Sequence, residues 1–414
     1  MPLSLQEDTL TATAGPLAGY VVLDFTQILA GPFTTQMFAD AGATVIKVEP
    51  PGGEFSRIRG PKRTTAKGQI ISSYSAAVNR GKRSICLDLK NPEGLRIAEQ
   101  LIAQSDVVIE NFTPGAFDRL GLGSKKLREA RPELVTCSIS LFGGFETAGD
   151  LAKRGGLSIV AESESSVAGM QRHKDGSPLP LGLPLGDMGS GMAAYGAIVT
   201  ALLVRERTGV GQHVDISMVK TLLAFNAINI TGEQIIAGQG VELRALRTAG
   251  YGIFPAADGY VTIAVNTDRL WGRLAEAMGQ DWMAGDPRFA HYVERDKNIA
   301  DVTAAITQWS SARSAAEVVE TITRFGVPGG LVATPHDILS SDAIAELGFL
   351  EEVDDGLGRV IRVPGNPIGW RQPTYAIPRT DEHSEELMAE RLGIAGEEYE
   401  KLRTAGAFGP VAEV

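Results

Sequence analysis

The sequence predicts an α/β fold, with a large doubly wound domain and a smaller α+β domain after it. Three observations carry this. From Val21 to Ser140, short apolar runs rich in β-branched residues alternate with helical patterns. Those runs are continuous rather than alternately polar and apolar, as parallel strands covered on both faces are. Beyond about residue 226 the texture changes to hairpins and short helices, and at ~100–200 residues per domain a chain of 414 residues divides into two.

VVLDFT (21–26) opens the sheet, TTQMFADAG (34–42) reads as a helix ended by Gly42, and TVIKVE (44–49) is the second strand. RSICLDL (83–89) is the third. Asn91 and Pro92 then stand as N-cap and first residue of a helix running to Ala103. DVVIENF (106–112) and LVTCSIS (134–140) continue the strands. SGMAAYGAIVTALLVRERT (190–208) is the most apolar helix, QHVDISM (212–218) reads as a strand and 219–236 as another helix. The second domain spans roughly 226–340. It holds a hairpin over 251–265 turning at Asp258-Gly259, then short helices at 268–279, 299–311 and 315–326. A second hairpin at 350–365 precedes a charged helix near 383–393.

Composition narrows the function. Hydrophobic residues make up 43% and charged residues 21%, which excludes a disordered chain. A net charge of −11 argues against a general nucleic-acid binder, though a local basic pocket for an anionic small ligand stays open. No apolar run approaches the ~18 residues of a transmembrane helix. The opening residues lack the basic and apolar regions of a secretion signal, and the expectation is a cytoplasmic protein away from membranes. Cys86 and Cys137 sit in apolar runs and read as buried thiols. No Cys or His spacing suggests a metal. The first strand is followed by TQILAGPF, with one glycine, so the GxGxxG of a dinucleotide site is missing.

Asp187 is the foremost candidate for chemistry. It lies in PLGDMGSGMAAYGA, among Gly186, Gly189 and Gly191, just before the long apolar helix. A helix N-terminus stabilises a carboxylate, and the glycines would let a substrate approach the backbone. Two readings are open: a covalent nucleophile, or an ordinary N-cap. Asp24 lies near a strand's carboxyl end, where α/β sheets place ligands, or has a structural role. Asn111 and Phe112 end another strand, and Arg119 is either a phosphate partner or a surface residue. Lys82 and Arg83 read as solvated charges or a local anion site, and His173 as an exposed loop residue.

The chain resembles the family III CoA-transferases, the group of formyl-CoA, carnitine and succinate–hydroxymethylglutarate CoA-transferases. LAGYVVLDFTQILAGPF, AGATVIKVEPPGG, NRGKRSICLDLKNPEG, DVVIENFTPGAFDRLGLG, GDMGSGMAAYGAIVTALLVRERTGVGQHVDISM, DPRFA, FGVPGG and RVPGNPI carry the resemblance, in family order. It implies a large Rossmann-like CoA-binding domain from 18–222, a small domain at 226–340 and a segment 341–414 that returns to the large domain. Two ring-like subunits would interlock as a homodimer. Asp187 would be the nucleophile. It would form an anhydride with the acyl group and then an aspartyl-CoA thioester, with the glycine loop donating to the oxyanion. Ala30, Leu87, Asp88, Leu89, Lys90, Asn111, Phe112 and Arg119 would contact CoA. The substrates would be an acyl-CoA and a carboxylic acid, with no permanently bound cofactor. Pro50 and Leu29 replace an arginine and a glutamine of formyl-CoA transferase, which argues against formyl-CoA and oxalate, and closeness to the succinate-using branch implies small dicarboxylates such as succinate, glutarate or hydroxymethylglutarate. A racemase of the same superfamily would need a histidine where Leu157 stands and an aspartate where Ser158 stands. A non-catalytic CoA-binding protein is the remaining alternative.

Overall fold

The structure is a computed structural model. It describes residues 15–64, 69–173, 175–238, 248–370 and 376–409, so most of the opening stretch read for a secretion signal lies outside the described residues. The chain forms two compact units, residues 1–230 with 348–414, and residues 231–347.

The first unit is built on six strands: β1 (Val21–Asp24), β2 (Thr44–Glu49), β3 (Arg83–Cys86), β4 (Val107–Glu110), β5 (Val135–Ser140) and β6 (His213–Ser217). They lie in the order β3-β2-β1-β4-β5-β6, all parallel, with Leu23 beside both Ile46 and Val108. This is the doubly wound order, and its switch point, where ligands settle beyond the strands' carboxyl ends, falls between β1 and β4. Side chains alternate across the sheet. Leu23, Ile46, Ile85 and Val108 pack in one cluster, and Val22, Val45, Val107 and Ile109 in the other.

The helices that position the site are α1 (Ala30–Asp40), α2 (Pro92–Ile102), α3 (Ser158–Glu164) and α4 (Leu185–Thr208). Asn91 caps α2 by accepting from the Glu93 N–H, with Pro92 at the first position, as the sequence indicates. Gly42, at φ +93°, follows the C-cap of α1. That helix starts four residues earlier than its composition suggests. Pro32 falls in the first turn, where a missing N–H costs nothing, and the side chain of Thr26 is tucked so close to Gly31 that a Cβ there would lie 2.2 Å from it. α4 is long and apolar enough by composition to cross a membrane. Its Ala194, Ile198 and Leu202 instead pack in the core with β4 and β5.

Other expectations need correction. β1 stops at Asp24, because the Asp24 carboxylate takes the Thr26 N–H at 2.9 Å and turns the chain. The span 219–236 breaks at Asn226 into helices Met218–Phe225 and Ala227–Ile235. The charged helix near 383–393 is a single turn, Ser384–Leu387, followed by a π-helical turn, Met388–Leu392. Before it, the chain lies along the free edge of β3. Asp381 accepts the Cys86 N–H at 2.7 Å, and Nδ1 of His383 accepts the Ser84 N–H at 3.2 Å while its own N–H donates to the Ser84 carbonyl at 2.9 Å.

The second unit pairs Tyr251–Pro255 with Tyr260–Ala264, as the hairpin signal indicates, and adds a third strand, Gly329–Leu331. Trp271, Val302, Ile306 and Val318 fill the core beneath them.

Candidate active site

Asp187 is the third residue of α4, and the N-cap is Pro184, whose side chain caps nothing. The N-cap reading of Asp187 is therefore overturned. The free N–H groups of α4 are served by α3 instead. Glu162 Oε1 accepts from the Gly186 N–H at 3.3 Å and from Ser158 Oγ at 2.7 Å, and Ser158 Oγ accepts from the Asp187 N–H at 3.1 Å. The Met188 N–H donates to the Pro184 carbonyl at 3.0 Å. The glycine loop thus has its donors engaged within the protein and does not offer them to an oxyanion. Its glycines also face packed neighbours rather than open space. A Cβ on Gly186 would lie 2.9 Å from Ser158 Oγ, on Gly189 2.7 Å from the Phe225 ring, and on Gly191 2.7 Å from the Ala30 carbonyl.

This packing places the nucleophile candidate. Gly191 lies against the first residue of α1, and Thr34 Oγ1 ties the two helices by donating to the Ala30 carbonyl at 2.9 Å and the Gly191 carbonyl at 3.0 Å. Asp187 is four residues before Gly191, hence on the same face of α4. It forms no ion pair among the described residues. Burial, and secondarily the Glu162 carboxylate, push its carboxyl up to about 6. Such a group is ionised at neutral pH yet more basic than a solvated carboxylate, a combination suited to a nucleophile.

The Glu162 effect is testable. In Glu162→Gln the amide oxygen still accepts from the helix, but the charge is gone. The acid limb of the kcat/KM profile is expected near pH 6 in the parent protein and lower in the variant, shifted toward the ~4 of an ordinary carboxylate. A limb that stays in place would reject the Glu162 contribution.

The residues expected to contact CoA gather at the carboxyl edge of one sheet, following β3, β1 and β4. Ala30 is buried, and its carbonyl is engaged by Thr34. Leu87 is buried in the core, so its side chain faces away from solvent. Asp88 accepts the Lys90 N–H at 2.9 Å, Leu89 packs against the core, and Lys90 is exposed. Asn111 bonds to the β1–α1 turn: its Oδ1 accepts the Gln27 N–H at 2.8 Å and its Nδ2 donates to the Gln27 carbonyl at 2.9 Å. Phe112 packs on Phe117 with ring centroids 5.9 Å apart. Arg119 is exposed at the end of the short helix Ala116–Arg119.

A cleft of about 830 Å³ runs along β4, β5 and β6. Phe112 lines it together with Glu110, Ser138, Arg128 and His213, while Asp187 and the other expected contacts do not. Burial raises the Glu110 carboxyl to about 7 against the opposing hydrogen bonds of Ser138 and the Phe112 N–H.

The remaining candidates are structural. Asp24 is fully buried. Burial acts to raise its carboxyl, but Lys47, Lys82 and the hydroxyls of Thr26 and Thr35 outweigh it and bring it down to about 2. Lys82 is therefore not a solvated charge, and Arg83 pairs with Glu386 and Glu390. His173 is exposed and both cysteines are buried free thiols, as expected. Leu157, where a racemase would have its base, carries no titratable group and is 62% exposed. Among the described residues no cluster of His, Cys, Asp and Glu is arranged to hold a metal. Sequence reasoning missed Ser158 and Glu162, whose i, i+4 spacing on α3 was the available signal. It also missed Lys47 and Glu54, although a lysine inside the apolar strand TVIKVE already demands a buried partner.

Residues 17–384 match the family described as CoA-transferase family III. The chain belongs to that family. This family III CoA-transferase is 32% identical to the succinyl-CoA–D-citramalate CoA-transferase of Chloroflexus aurantiacus, over 94% of this chain and 97% of the relative. It is 31% identical to the succinate–glutarate CoA-transferase of Agrobacterium fabrum, over 91% and 95%. Identity to the formyl-CoA:oxalate CoA-transferase of Rhodopseudomonas palustris is 30%, over 95% and 97%. The crystal structure of a CAIB/BAIF family protein from Brucella suis matches with a TM-score of 0.79 and 30% identity, covering 91% of this chain and all of that one.

Proposed function

We propose that this CoA-transferase moves CoA from an acyl-CoA to a free dicarboxylate through covalent intermediates on Asp187. The observation that carries the reading is the Asp187 carboxyl: without an ion pair among the described residues, raised to about 6 and set on the α4 face that meets the start of α1. An Asp187 oxygen attacks the thioester carbonyl, the C–S bond breaks, and CoA leaves as thiolate from a mixed anhydride. The thiolate attacks the Asp187 carbonyl of that anhydride and expels the donor carboxylate, leaving an aspartyl-CoA thioester. The acceptor carboxylate attacks this thioester and forms a second anhydride. The returning thiolate attacks its acyl carbonyl and frees Asp187. With the first-turn N–H groups of α4 engaged, the oxyanions fall to the start of α1, where the N–H groups of Leu29, Ala30 and Gly31 have no helical acceptor.

The dicarboxylate assignment draws on the relatives, whose names include succinate, glutarate, citramalate and oxalate. The same reading makes the protein a cytoplasmic, interlocked homodimer whose large domain holds CoA. Mass spectrometry of acyl-CoAs against a carboxylate panel is expected to show exchange with small dicarboxylates. Hydroxylamine added during turnover should label the peptide containing Asp187, and light scattering should give a dimer. Label on another residue, or an active monomer, would overturn the corresponding part.

A further inference from the structure

The turn between β1 and α1 is held by side chains at Thr26, Gln27 and Ile28. The Phe25 N–H donates to the Ile109 carbonyl at 2.9 Å. Asp24 takes the Thr26 N–H, and the fully buried Nζ of Lys47 donates to the Thr26 carbonyl at 2.9 Å. Asn111 takes both the N–H and the carbonyl of Gln27 from across the switch point. Glu54, 2% exposed, accepts the Ile28 N–H at 3.2 Å. Between these holds, Ile28 sits at φ +69°, a left-handed conformation that a β-branched residue adopts only under constraint. Three residues on, the backbone passes Thr26 so closely that only glycine fits at position 31.

We propose that Asn111 is a positioning residue. With Lys47 and Glu54 it clamps Ile28 into the left-handed state and so fixes the peptide groups entering α1 beside Asp187 for the transfer step. This rests on the functional reading above. It differs from a CoA contact in what it costs to lose. A ligand contact acts on substrate binding. A clamp acts on the geometry of the transition state, and its loss can be repaired by a residue that adopts φ > 0 without constraint.

The experiment measures steady-state transfer by wild type, Asn111→Ala and the double variant Asn111→Ala/Ile28→Gly, with melting curves for each. In Asn111→Ala, kcat is expected to fall tenfold or more while KM for acyl-CoA changes less than threefold. Glycine at position 28 should then recover several-fold of the lost kcat. If Asn111→Ala does not fold, Asn111→Asp, which keeps the acceptor for the Gln27 N–H and loses the donor to its carbonyl, reads the same split and the same rescue. A rise in KM with kcat intact, no effect on either, or a kcat loss that glycine does not repair would reject the clamp while the functional reading stands. A wild type that transfers no CoA would reject the functional reading and the clamp with it.

Discussion

Asp187→Asn is expected to fold, to melt at or above the wild-type temperature near pH 7, and to lose transfer by roughly 10⁴-fold or more. The two halves have different causes. Asparagine removes the nucleophile, and no neighbouring carboxylate stands in its place, since Glu162 is bound to Ser158 and the Gly186 N–H. Stability moves the other way because the carboxyl is raised in the folded state to about 6. A group raised on folding favours the native state while protonated, below its ordinary value, and that contribution is lost as the pH climbs through 6. Asparagine resembles the protonated form at every pH. The gap in melting temperature should thus be small near pH 4 and widen toward pH 7. At an N-cap the same exchange would leave stability nearly unchanged at every pH, because Asn and Asp cap a helix about equally well. Transfer largely kept in Asp187→Asn would refute the covalent mechanism.

Glu49→Leu is expected to destabilise the first unit by roughly 3–5 kcal/mol, the cost of leaving a buried charge alone. Glu49 lies at the carboxyl end of β2 and is fully buried. It receives Nε of Arg57 at 2.6 Å, Ser84 Oγ at 2.7 Å and the Glu54 N–H at 3.1 Å. Burial acts to raise its carboxyl, but Arg57 outweighs it and holds it below the usual range. Its stabilising contribution is accordingly present above the ordinary carboxylate value and lost as pH falls through the depressed one. The variant Glu49→Leu/Arg57→Leu removes both charges and should recover much of the loss. Denaturant melts of the four proteins form a cycle. A double variant as unstable as the sum of the single ones would show that the pair is not what holds this corner.

What the sequence disclosed is what is set locally. The strand runs, the Asn91-Pro92 helix start and the hairpin at 251–265 depend on neighbours a few residues away, and they appear where expected. The order of the strands along the sheet was legible as a fold class. Their ends were not, because β1 is terminated by a side-chain bond from Asp24. The strand Gly329–Leu331 carries almost no side-chain signal, and Gly329 is there because a Cβ would lie 2.5 Å from the Thr262 carbonyl. At the site, the type and place of Asp187 were readable, but its environment was not. The glycines around it read as openings for a substrate, whereas they are contact points between helices. The cap from α3 comes from 24 residues upstream. Ile28 is a case of tertiary structure overriding local preference, since Asn111 reaches the adjoining Gln27 from 84 residues away.

The strip of chain along β3 has a consequence for synthesis. Asp381 is 295 residues beyond the Cys86 it binds. At the ~5–20 residues per second of translation, a growing chain carries β3 for on the order of 15–60 s before the segment that covers it exists. All six strands are synthesised before residue 218, so the sheet can assemble with one flank bare. An uncovered strand is a template for foreign strands, so nascent chains are open to mispairing along β3 throughout this interval. A polypeptide ending before residue 376 would remain in that condition for its whole life.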